Sequence, residues 1–271
     1  MRTDLTAARQ PSFLPPAGPS DAALKAGFRC GDLGTHSSRT IMLAELEAAL
    51  AAVPPEARRA DYAAAIIEAN CLSKPTFSTR RLTNQRLGEL YGLDPAVPLF
   101  RVLRRLWAID EAGRPLLALL ACLARDPLLR TTAPVVVGLP EGAELQRRKL
   151  RAVLRAAVDN RLNEATLDKV VRNTASSWTQ SGHLEGRTFK IRRLVRATPA
   201  SVALALYLGH AAGFRGEELL ASGWVAVLDC SASSARDLAV AAKRLGLIDL
   251  RMAGEVIELG LERLDPAAGR F

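Results

Sequence analysis

Aromatic residues make up only 5% of this 271-residue sequence, and runs of β-branched residues are few. Both shortages argue against a sheet-rich fold, whose pleated surfaces draw on Val, Ile, Thr and aromatic side chains. Cysteine is equally scarce. Cys30, Cys71, Cys122 and Cys230 lie far apart and form no C-x-x-C pair, which removes the disulfide scaffold and the zinc ribbon alike. Cys71, Cys122 and Cys230 stand among apolar or small residues and read as buried free thiols, as in a reducing cytoplasm. Long apolar runs are missing too. The most apolar stretch, Pro115–Leu123, is far short of a bilayer and lies between Arg114 and Arg125, so no membrane association is expected. Met1–Pro19 is polar and broken by proline, unlike a signal peptide. The three histidines, His36, His183 and His210, stand in unrelated settings with no carboxylate or cysteine at ligand spacing. No Walker loop or G-x-G-x-x-G occurs, and the adjacent acids Asp110–Glu111 and Glu217–Glu218 point apart on a helix. No catalytic set, metal site or cofactor is expected.

Ala, Leu and Arg are what the sequence has in quantity. Hydrophobic residues make up 49% and charged residues 24%, the balance of a folded chain. The expected fold class is mainly α: a multi-helical protein with helix-turn-helix or winged-helix modules and short β-wings. Thirty-seven Lys and Arg face 28 acids, a formal net charge of +9, and the excess is uneven. Residues 1–130 contribute +4, residues 131–200 contribute +7, and residues 201–271 contribute −2. A localised cationic stretch is the electrostatic mark of a polyanionic partner. Its densest part, Arg147–Arg196, carries thirteen Lys or Arg against Asp159, Glu164, Asp168 and Glu185.

Four units are expected along the chain. Residues 1–39, with Pro11, Pro15, Pro16, Gly18 and Pro19, read as a flexible N-terminal arm. Residues 40–130 read as a helical domain with a helix-turn-helix-like segment. In it a polar turn leads to a helix over Arg80–Tyr91, with Ser78 or Thr79 as N-cap. Leu82, Leu87 and Leu90 would face the core of that unit. Arg80, Arg81, Asn84, Gln85 and Arg86 would stay outside, with Arg80, Arg81 and Arg86 as candidate DNA contacts. Pro115–Arg125 should be a buried central helix, and Val135–Leu139 a strand or a packed linker.

Residues 131–212 combine a basic helix with a central winged-helix module. The helix over Gly142–Val158 offers Arg147, Arg148 and Arg151 to phosphates. Asn163 caps a helix over Glu164–Ser181, Gly182 ends it, and the basic run Thr188–Val195 follows as a ribbon. In that outline Lys169, Arg172, Asn173, Ser176 and Gln180 lie on or near the exposed helix face, and Arg187, Lys190 and Arg192 fall in the wing segment. Cations there suit phosphates and the small polar groups suit bases. His183, at the helix end, is placed for packing or for a cation that complements the dipole. Residues 213–271 give a second, better-formed outline of helix, turn and two strands. Its acids offset its cations, so packing or protein contact is expected of it.

Two stretches carry a family resemblance. The first is Asn70-x-Leu72-x-Lys74-x-Thr76-x-x-Thr79, followed by Arg86-Leu87-x-x-Leu90 and a Leu-rich helix at Leu116–Leu123. The second is a Thr-rich entry at Thr166 to a helix that ends in Gly182-His183-Leu184. In order and spacing these resemble the BrxA family of bacterial BREX phage-defence systems, over about residues 40–210. The proline-rich N-terminus and the extension after about residue 212 depart from the family pattern. The resemblance implies an all-helical protein that binds double-stranded DNA and plays a non-enzymatic part beside other defence-system proteins. The residues by themselves leave two alternatives open: a structural adaptor whose winged-helix modules assemble the complex, and a transcriptional regulator.

Overall fold

Prolines and small polar caps cut the Ala/Leu-rich chain into helices. In the computed structural model, residues 12–267 are described, apart from 17, 32, 33, 160, 254 and 255. The helices are α1 (Asp21–Ala26), α2 (Leu43–Ala51), α3 (Arg59–Ala63, continued by a π-helical turn to Glu68), α4 (Phe77–Tyr91), α5 (Pro98–Ile109) and α6 (Arg114–Arg125). They continue with α7 (Pro127–Val137), α8 (Arg147–Val158), α9 (Glu164–Gln180), α10 (Pro199–Ala212), α11 (Glu217–Leu220), α12 (Gly223–Ala226) and α13 (Ala232–Arg244). Ser20, Thr76, Asp126, Asn163, Thr198 and Ser231 each accept a backbone N–H at a helix start. Proline occupies the first turn of α5, α6, α7 and α10, where its missing N–H costs nothing. The class is mainly α, as its composition implies.

Two helices make the centre. Every residue of α6 from Leu116 to Ala124 is buried, and α10 is buried along almost its whole length. Around α10 pack α1, α5, α6, α12 and α13, so one hydrophobic core runs through all four expected units. The C-terminal part is fastened to it by a bidentate pair, with Arg101 donating to Asp265 at 2.9 and 2.7 Å.

Several expectations are corrected. Residues 1–11 of the expected arm lie outside the described residues, but Phe13, Ala23, Ala26, Phe28, Thr35 and His36 of the rest are buried. Phe13 and Phe28 meet Trp224 edge to face at 5.0 and 5.4 Å, and Trp224 Nε1 donates to Phe13 O at 2.9 Å. Burial of two aromatic rings outweighs the disorder that proline content alone suggests. Val135–Leu139 is neither strand nor linker: Val135–Val137 ends α7, with Pro134 inside the helix. Burial of Ala133 and Val136 offsets the roughly 3 kcal/mol that an interior proline costs. Helix α4 starts at Phe77 with Thr76 as N-cap, not Ser78 or Thr79. Its buried stripe is Thr83, Asn84, Leu87, Leu90 and Tyr91. That phase turns Leu82 outward, 38% exposed, and brings Asn84 inward to accept from Arg59 at 2.9 Å.

Helices α7, α8 and α9 pack on one another and lead into a small antiparallel hairpin, β1 (Leu184–Glu185) and β2 (Ile191–Arg192). Residues 142–145 run along the other edge of β2. Gly142 N–H donates to Arg192 O at 2.9 Å, Leu145 N–H to Lys190 O at 2.8 Å, and Arg192 N–H to Ala143 O at 2.9 Å. Near the C-terminus, β3 (Asp249–Ala253) and β4 (Val256–Gly260) form a second hairpin, which packs on α13.

Candidate nucleic-acid interface

The apolar spacing of α9 decides which of its polar residues face outward. Leu167, Val170, Val171, Thr174, Ala175, Ser177 and Trp178 are buried, and Trp178 Nε1 donates to Thr132 at 2.8 Å. That leaves Lys169 and Arg172 exposed and Ser176 half-buried on the opposite side. Gly182, in the left-handed region at φ +88°, ends the helix and returns the chain as β1. At Gly186, φ is +103° and a Cβ would overlap the Phe189 carbonyl oxygen. Only glycine fits this turn.

The folded-back hairpin and α9 enclose a groove of about 240 Å³, lined by Arg147, Arg172, Arg187 and Lys190 together with Ser176, Thr188, Leu145 and Ala175. Four cations and two hydroxyls thus come from three separate segments. Lys190 Nζ donates to Thr179 Oγ1 at 2.8 Å and to Gly186 O at 3.2 Å, and partial burial pulls its pKa below the ordinary lysine value. Among the described residues, Arg147, Arg172 and Arg187 make no ion pair.

The remaining sequence candidates divide by what already occupies them. Lys169 is exposed on α9 outside the groove lining. Arg148 is exposed on α8, its Nε donating to Gln146 at 3.0 Å. Arg151 is held by Glu164 and Asp168, and Arg155 by Glu164; two acids of the basic stretch are spent on α8. Asn173 donates to His36 O at 2.8 Å. Gln180 accepts from Leu43 N–H at 3.1 Å and donates to Thr40 Oγ1 at 3.0 Å. Both residues anchor α9 to the segment before α2, not to a ligand.

Arg192 is the clearest correction. It is 1% exposed, ion-paired with Asp229, and bonded to the carbonyl oxygens of His183 and Arg193. Asp229 Oδ2 also accepts from Val195 N–H at 3.0 Å. No phosphate reaches this guanidinium; it clamps β2 to the segment after α12. On α4, Arg80 donates to Lys74 O and Ile67 O at 3.3 and 3.2 Å, and Arg86 pairs with Glu89 at 2.8 Å. Arg81 stays exposed, in a hollow shared with Phe77, Leu82 and Gln85.

His36 differs from its sequence reading. His36 does have a carboxylate partner: Nδ1 lies 2.8 Å from Asp126 Oδ2, and Nε2 lies 2.8 Å from Ser177 Oγ. The order Asp, His, Ser is that of a hydrolytic triad, and ninety residues of separation hide it from the sequence. All three side chains are fully buried. Ser177 Oγ donates to Asn173 O at 2.8 Å and accepts from Ile41 N–H at 3.0 Å, so its bonding capacity is used up. Burial pushes the Asp126 carboxyl up, but the His36 ring and backbone and the Leu129 N–H together hold it below its ordinary value. The arrangement ties the turn at Thr35–Ser37 to α7 and α9. Of the two roles expected of His183, packing is the one realised, edge to face with Trp178, and not that of a capping cation. Desolvation lowers its pKa to about 4, so the ring is neutral, donating from Nε2 to Val227 O at 2.7 Å and meeting Ser181 Oγ at 2.9 Å.

Thr188, Ala175 and Leu145 line the groove without having been singled out from sequence. The signal that points to Thr188 is the short polar turn opened by Gly186. In the C-terminal part, Arg236 pairs with Glu217, Arg251 with Glu258 at 3.5 Å, and Arg263 with Asp249 at 2.8 Å. Three of its six described cations are thus paired with acids. Among the described residues no helix is long and apolar enough to cross a membrane. Comparison with protein-family models gives no match to the chain, and comparison with curated proteins gives none either.

Proposed function

We propose that the chain is a non-enzymatic, double-stranded DNA-binding protein that grips the DNA backbone through the groove between α9 and the β1–β2 hairpin. The observation that carries this reading is the groove itself: Arg147, Arg172, Arg187 and Lys190 converge there with Ser176 and Thr188. Guanidinium and hydroxyl groups at close quarters suit successive phosphate oxygens. The order of α8, α9 and the hairpin, with residues 142–145 on the edge of β2, also supports a winged-helix reading of this unit. In that reading α9 is the recognition helix and the hairpin is the wing. Placement in a bacterial defence system of the BREX type, beside other defence proteins, rests on the resemblance at Asn70–Leu90 and Thr166–Leu184 alone.

The test is a gel-shift titration with Arg172→Glu combined with Arg187→Glu. Both residues are exposed, so stability should stay within about 1 kcal/mol of the unsubstituted chain while the shift is abolished. An unchanged shift would overturn the groove assignment. One observation favours the adaptor reading: Phe77 and Leu82 stand exposed side by side with Arg81 on α4. That surface predicts loss of a protein contact, with DNA affinity unaffected, in Phe77→Asp.

A further inference from the structure

The cations of the groove leave unexplained the residue that stands between two of them. Phe189 is 67% exposed, more than any other large hydrophobic side chain among the described residues. It forgoes the burial that an aromatic ring ordinarily contributes. Its neighbours offer no apolar cover. Arg187 and Thr188 are exposed, and Lys190 turns under the hairpin toward Thr179.

The turn also fixes the backbone that carries the ring. Gly186 is locked in the left-handed region against the Phe189 carbonyl. Lys190 Nζ closes the turn onto Gly186 O at 3.2 Å, and the Lys190 carbonyl is bonded to Leu145 N–H at 2.8 Å. A backbone fixed this way loses little freedom on binding, which leaves only the ring's own rotation to be ordered. A partner that suits it offers a flat apolar surface directly beside a line of anions. Stacked bases next to their own phosphates have that chemistry.

We propose that Phe189 is an apolar wedge that enters between base pairs of a duplex whose backbone lies in the groove, and unstacks that step. The inference rests on the duplex-binding reading above. Trp107, Trp178 and Trp224 are all buried, so Phe189→Trp adds one exposed indole to an unresponsive background. The expected result is quenching of that emission by a short duplex at about 50 mM salt and recovery near 200 mM. In parallel, Phe189→Ala should lower duplex affinity about tenfold or more and leave the salt dependence unchanged, because no charge is removed. Unquenched Phe189→Trp emission with normal affinity in Phe189→Ala overturns the wedge and leaves duplex binding intact. No shift with the unsubstituted chain at low salt overturns both. Quenching by a poly(Glu,Tyr) peptide but not by duplex overturns the wedge in favour of an acidic protein surface.

Discussion

His183 gives the fold a defined sensitivity to acid. The ring is fully buried between α9 and the end of α12, edge to face with Trp178 at 4.9 Å. Desolvation holds its pKa at about 4 against an ordinary 6.5. The unfolded chain therefore takes up a proton at this position below pH 6.5 while the folded chain refuses it until about pH 4. Its contribution is complete above pH 6.5 and is lost as pH falls through that window. The difference corresponds to roughly 3 kcal/mol in full, most of which has gone by pH 4.5. Asp126 and Glu89 are held below their ordinary values, so they withdraw stability mainly below about pH 4.5. His210, lowered by partial burial, acts in the same direction as His183.

The perturbation that isolates His183 is His183→Gln, which keeps an N–H donor for Val227 O and cannot titrate. At pH 7 the variant should be less stable by about 1–3 kcal/mol, from the lost ring packing and a strained hydrogen bond. Thermal unfolding followed by circular dichroism at pH 7, 6, 5 and 4.5 measures the gap between the two proteins. It should close as the pH falls, since only the natural chain loses this contribution. At about 2–4 °C per kcal/mol for a chain of this size, the closure amounts to roughly 5–10 °C. A gap that stays constant from pH 7 to 4.5 refutes the assignment.

Other expected outcomes follow from groups already described. Arg192→Ala leaves Asp229 buried without its partner and should cost about 3–5 kcal/mol; Arg172→Ala, on the exposed face, should stay within about 0.5 kcal/mol, and denaturant titration separates them. Ser177→Ala removes the acceptor of Ile41 N–H and the partner of His36 and should destabilise by about 1–3 kcal/mol. In the native chain Ser177 should remain unlabelled by a fluorophosphonate probe, and rapid labelling would show that the buried triad is open to substrates. Four groove phosphates would give a salt slope near −3.6, and Arg147→Gln should flatten it by about 0.9. A slope untouched by that substitution removes Arg147 from the interface.

Much of the helix map was legible because it rests on local chemistry. The helix over Leu116–Leu123 follows from its Leu/Ala run, and α9 from the Asn163 cap and the Gly182 stop. Where local signals were read in isolation, the packing corrected them. Val135–Val137 looks extended because valine favours strands, yet burial of Ala133 and Val136 keeps α7 helical through Pro134. Ser12–Phe28 looks loose from its prolines, yet Phe13 and Phe28 close on Trp224.

The candidate site divides in the same way. The sequence by itself determined a mainly helical chain, a basic segment over residues 131–200 and a hairpin turn at Gly186, because composition, caps and positive-φ glycines act over a few residues. Only the tertiary structure decided which cations are available. Asp229 lies outside the basic stretch but takes Arg192 out of solution, and Glu164 and Asp168 occupy Arg151. Charge counts along a chain add these groups as if they were independent. Ion pairing depends on distance in space, and in this fold it leaves Arg147, Arg172 and Arg187 facing one groove, with Phe189 exposed in the turn that carries Arg187 and Lys190.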